Sequence, residues 1–194
     1  MNNNGITKIP TFKSGNFVFS SKYDRAELDP KIYGLTVLYK TVISLPILPD
    51  WSARFNSEII RKSIFGTAAL EGNPLSEEDV GKIIEETSKK KAVQRAEQEI
   101  INLRTVYETI RLKEPADQPV KLDEAVIKET HKAITQGIDY VANIPGNYRN
   151  HEVKVGDKDH GGVYTPPKCL PDIQNLMKEF CTWMNSEETT TLDA

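Results

Sequence analysis

Near the carboxyl end of this 194-residue chain, His151, Asp157, Asp159 and His160 gather two imidazoles and two carboxylates in one short stretch. Those are donor types for a divalent cation. The stretch is a polar, glycine-rich turn, however, with no cysteine ligand and no pattern to orient the imidazoles. No metal site is assigned to it. His131 falls on the apolar stripe of a helix and reads as a core histidine making one hydrogen bond. Lys89, Lys90, Lys91 and Arg95 carry the charge to hold phosphates, but they read as the solvated basic face of a helix start. The sequence has no P-loop, no G-x-G-x-x-G, no G-x-S-x-G and no H-E-x-x-H. By its residues alone, the chain names no catalytic group.

One carboxylate is more pointed. The run TAALEGNPLSEEDV, residues 67–80, carries a helix up to Glu71 and stops it at Gly72-Asn73-Pro74. Gly72 or Asn73 takes the left-handed geometry of a helix C-cap, and Pro74 cannot continue the helix. A second helix starts at Ser76, with Glu77, Glu78 and Asp79 in its first turn, where the helix dipole welcomes acids. Glu71 is the opposite case. It is an acid in the last turn, where the dipole disfavours negative charge and Lys or Arg is the ordinary choice.

The elements that must position these groups are mostly helical. Apolar residues keep helical spacing at Ile32, Leu35, Leu38, Val42 and Leu45, then at Trp51, Phe55 and Ile59 in the helix that ends at Glu71. Further helices are predicted over 76–87, 89–113, 121–138 and 169–185. The clearest stripe is Ala96, Ile100, Leu103, Tyr107 and Ile110. Residues 1–25, with Gly5, Pro10 and Gly15, read as an irregular amino-terminal arm. Between 143 and 167, two β-prone pieces, Glu152–Val155 and Val163–Thr165, flank the turn Gly156–Gly162 and read as a β-hairpin. The fold class is all-α with one β-hairpin. The net charge of -3 argues against a nucleic-acid binder. No apolar run approaches the roughly 18 residues of a membrane span, the amino end has no signal-peptide pattern, and Cys169 and Cys181 read as small buried hydrophobes. A cytoplasmic protein is expected.

In this order the motifs resemble the Fic (Fido) family of protein adenylyltransferases. TAALEG matches that family's inhibitory-helix pattern, Ser or Thr, three residues, Glu, then Gly or Asn. IKETHKAITQGI, followed by IPGNYRNHEVKVG and YTPP, is similar to the early core helices and the target-docking flap. The resemblance runs from about residue 25 to the end. It divides the chain into the arm of 1–25, a helical segment with the inhibitory helix over 26–115, and the front part of a Fic core with the flap over 116–194. It implies transfer of AMP from ATP to a Ser, Thr or Tyr hydroxyl of a target protein, with ATP and Mg²⁺ as cofactors of the complete enzyme. It makes Glu71 the inhibitory glutamate, paired with the last Arg of the motif H-P-F-x-x-G-N-G-R and set against the γ-phosphate. Thr67 anchors that helix end, and Gly72 lets the chain turn away. Val153, Val155, Val163 and Tyr164 would hold a target segment on the flap.

The departure from the family is as informative as the match. H-P-F-x-x-G-N-G-R occurs nowhere in the 194 residues, and none of His131, His151 or His160 is followed by Pro-Phe. No catalytic residue and no cofactor are therefore assigned within this chain, which is expected to be inactive alone. It reads as the inhibitory segment and front half of an incomplete core, with apolar helix stripes left for the absent half or for a homodimer to cover. The alternative is a stand-alone, non-enzymatic module that inhibits or docks a separate Fic protein in trans.

Overall fold

The computed structural model describes residues 6–46, 48–86, 94–113, 121–139, 144–156 and 162–190. Strands β1 (Ile6–Pro10) and β2 (Asn16–Ser20) come first, followed by helices α1 (Arg25–Ile43), α2 (Pro49–Leu70), α3 (Glu77–Glu85) and α4 (Arg95–Lys113). Helices α5 (Glu124–Thr135), α6 (Leu170–Met184) and the short α7 (Glu187–Thr190) complete the order. The chain forms two compact units. One holds residues 1–45, 120–125 and 148–194, the other 46–119 and 126–147. Among the described residues, no helix is long and apolar enough to cross a membrane.

The second unit is built on α2, α3 and α4. Pro49 opens α2 at a position where its missing N–H is not needed. Ser76 caps α3, its hydroxyl accepting the Asp79 N–H at 3.2 Å. Ile64 and Ala68 of α2, Val80 of α3, and Ile100 and Leu103 of α4 interlock as the core, with Ile60, Phe65, Leu75 and Tyr107 around them. Burying Ile64, Val80 and Ile100 completely contributes about 1.5–3 kcal/mol each. Asn102, buried on α4, donates to the carbonyls of Ile134 and Gln136 at 2.7 and 2.8 Å, closing the end of α5. The His131 imidazole accepts the Gly146 N–H at Nδ1, at 2.9 Å.

In the first unit, the amino-terminal segment read as an irregular arm is an antiparallel hairpin, with Ile6 opposite Ser20 and Pro10 opposite Asn16. Phe17 and Phe19 turn inward while Val18 stands exposed, as the two-residue period of a strand requires. Phe19 stacks on Trp183 of α6 at 5.5 Å and meets Phe180 edge-on at 5.8 Å. The turn is gripped from the far end of the sequence. Asp172, in the first turn of α6 and 2% exposed, accepts the N–H groups of Phe12 (2.6 Å) and Lys13 (3.0 Å) and the Ser14 hydroxyl (2.7 Å). That carboxylate is what gives the arm its order. The fold is therefore mostly helical with one two-stranded hairpin, and its ladder lies at the amino end.

Candidate functional site

Helix α2 has an apolar residue row on each side. Ile60, Ile64 and Ala68 face α3 and α4, whereas Trp51, Phe55 and Ile59, on the opposite side, remain 52%, 46% and 60% exposed. The helix ends in a Schellman closure. The Gly72 N–H bonds the Ala69 carbonyl at 3.0 Å, the Asn73 N–H bonds that of Ala68 at 2.9 Å, and Gly72 takes φ +81°. Of the two candidates for the left-handed position, Gly72 fills it, where a side chain would be strained. Glu71 is the C-cap residue, and Thr67 lies exposed one turn earlier. Among the described residues the Glu71 carboxylate has no ion-pair or hydrogen-bond partner, and neighbouring Leu70 is 89% exposed.

Asn73 went unread as a site residue in the sequence. It is 9% exposed, and both its amide N–H groups reach α4, at the Ala96 carbonyl (3.0 Å) and Glu99 Oε2 (2.9 Å). Its Oδ1 accepts the Leu75 N–H at 3.1 Å. The other oxygen of Glu99 holds Arg95 Nε at 3.0 Å. Arg95, read as part of a basic face, is thus an ion-pair partner on α4, while Lys89, Lys90 and Lys91 lie outside the described residues. The only sequence signal for Asn73 was its place two residues past the helix end. Its partners, 23 and 26 positions away, left no trace in spacing.

The flap is slighter than its sequence suggests. Instead of two strands, Val155 and Tyr164 form one antiparallel bridge, exchanging both backbone hydrogen bonds at 2.8 Å. The next hydrogen-bonded pair in that register would join Val153 to Pro166, which has no N–H to give. Toward the tip, Gly156 has φ +84°, and a Cβ there would lie 2.6 Å from the Gly162 carbonyl oxygen, so only glycine fits. Val155, Val163 and Tyr164 are about half exposed and Val153 is half-buried. Arg149 fastens the base, one guanidinium nitrogen donating to the carbonyls of both His151 and Pro167. Just before it, the Tyr148 hydroxyl donates to Glu124 Oε2 at 2.7 Å. Burial, reinforced by that carboxylate, raises the phenol's pKa above its ordinary value. Asp157, Asp159 and His160 lie outside the described residues. Among those described, no group of three or more His, Cys, Asp and Glu is placed to hold a metal ion.

No protein-family model matches the sequence. In three dimensions the chain is similar to a solved Fic family protein from Desulfovibrio desulfuricans G20, with a TM-score of 0.62 and 20% sequence identity. The match covers 87% of this chain and 47% of that one, so the chain spans about half the length of the structure it resembles. At this identity the likeness is one of fold. The chain has a Fic-like helical fold.

Proposed function

We propose that this chain is the amino-terminal, regulatory part of a Fic-type protein adenylyltransferase, with Glu71 as the inhibitory carboxylate and the flap as the docking edge for a target protein. The observation that carries the reading is the placement of Glu71. It is an acid without a partner among the described residues, at the unfavourable end of a helix dipole, on a helix end closed by backbone bonds and set on its own core. A carboxylate held that way suits a guanidinium supplied from outside these residues, because a bidentate Arg pair offsets the cost of its position. Gly72 shapes that helix end, and Thr67 lies exposed one turn before it. At the flap, the half-exposed bridge of Val155 and Tyr164, with Val153 and Val163 beside it, offers an edge to an extended segment bearing the acceptor hydroxyl.

The residues present do not make a cradle for ATP and Mg²⁺, since the family's phosphate-binding motif is absent from the sequence. We therefore assign no nucleotide, metal or catalytic base to these 194 residues, and no chemical step to this chain. A second reading, a non-enzymatic module acting on a separate Fic protein in trans, draws on the self-contained core beneath Glu71. Measuring the intact mass of the protein from its source cells decides between the two. A mass well above that of the 194 residues supports the autoinhibited enzyme, and a matching mass supports the module. In the longer protein, Glu71→Gly raises AMP incorporation from labelled ATP by about tenfold or more, the effect of losing roughly 1.4 kcal/mol of blocking interaction. Unchanged incorporation would remove Glu71 from the inhibitory role.

A further inference from the structure

We propose that Asn73 is the positioning residue that fixes the direction of Glu71, and that the first turn of α4 is the point from which this carboxylate is released. The inference rests on the reading of Glu71 as inhibitory. Helix ends fray, and a carboxylate on a fraying turn has no fixed aim. Here the Schellman closure stops the fraying, yet its last residue is unusual. The position after the left-handed glycine commonly carries an apolar side chain that packs back on the helix. This chain places an asparagine there and nearly buries it. A buried amide is tolerated when its polar atoms are satisfied. Those of Asn73 are satisfied by a different helix, through Ala96 and Glu99, and by the Leu75 N–H of the following turn. The end of α2 is thereby tied to the start of α4 rather than only to itself.

The tie has a release point. Glu99 holds Asn73 with one oxygen and Arg95 with the other, so a displacement of the first turn of α4 acts directly on Asn73. Losing the tie leaves Gly72, with its open left-handed geometry, as a swivel beneath Glu71.

The test is amide hydrogen exchange on the full chain, comparing Asn73→Leu and Glu99→Ala with the parent. Asn73→Leu supplies the apolar residue the closure ordinarily has and removes the link to α4, together with the acceptor of the Leu75 N–H. Glu99→Ala removes an acceptor from the α4 side and guards against a misfolded first variant. Both variants speed exchange of the Gly72 and Asn73 amides about tenfold, the effect of losing one net hydrogen bond, while Ile64, Val80 and Ile100 stay protected. Unchanged exchange at 72 and 73 in a folded variant overturns the proposal. A companion assay of AMP incorporation in the enzyme carrying this chain separates the two ideas. If Glu71→Gly activates and Asn73→Leu does not, the tie is wrong and the reading of Glu71 stands. If Glu71→Gly has no effect, that reading fails whatever the exchange shows. If both activate, the double variant Glu71→Gly/Asn73→Leu gains nothing further, because Asn73 acts only through Glu71.

Discussion

Asp172 and Glu71 are both carboxylates at helix ends, and their surroundings are opposed. Asp172 lies in the first turn of α6, buried, with two backbone N–H groups and a hydroxyl on its oxygens. Glu71 closes α2 at its other pole, exposed, with no partner among the described residues. The dipole favours the first and opposes the second. A saturated acid at the positive end of a helix belongs to the architecture, and what it holds is visible in the same unit. An unsatisfied acid at the negative end does nothing for its own helix. On the proposed reading, its rationale lies in what approaches it.

The contrast can be broken at either acid. The largest effect is expected from Asp172→Ala, which strips the hairpin turn of three hydrogen bonds. The melting temperature falls by on the order of 5 °C, and Trp183, no longer stacked on Phe19, shifts its emission. An unmoved Trp183 signal would mean that Phe19 alone holds the hairpin. A smaller, pH-dependent effect follows in the parent chain. Burial raises the Asp172 pKa, but the Ser14 hydroxyl and the N–H groups of Lys13 and Phe12 outweigh it, and the carboxyl ends below its ordinary 3.8. Its contribution is therefore complete above that value and is lost as the pH falls beneath it. An acid titration followed at Trp183 detects the loss, and Asp172→Asn removes that part of the transition. The smallest effect is at the other acid. Glu71→Gln removes an unfavourable charge–dipole contact and raises stability by about 0.3 kcal/mol in a urea melt. A fall of about 1 kcal/mol or more would instead make Glu71 a structural residue.

Much of the helical framework was legible in the sequence. The stripe Ile100, Leu103, Tyr107 marked the inner face of α4, Ser76 with its acids marked the start of α3, and Gly72 marked the end of α2. Those signals are local, set by dihedral preference and a 3.6-residue period. The amino-terminal hairpin was missed because Pro10 and Gly15 weighed as breakers, although Phe17-Val18-Phe19 alternates as a strand does. What orders its turn is Asp172, some 160 positions away, and no local pattern carries that distance. The flap was over-read for the converse reason. Val153, Val155 and Val163 have strand-forming side chains, but pairing is a matter of register, and in this register Pro166 takes the place of a donor. At the candidate site, Glu71 announced itself by violating a rule of its helix. Asn73 departed from a local preference, the apolar residue that commonly follows a left-handed glycine, but only its burial against α4 reveals what it does.

The two apolar rows of α2 mean that a screen for folding sees half of the helix. Polar replacements at Ile64 register at once as lost yield or lowered melting, because that row is already packed. The same replacements at Phe55 or Ile59 are expected to leave yield and melting unchanged, because that row packs on nothing among the described residues of the core. A catalogue of tolerated changes gathered from this chain alone would score that outer row as free to vary.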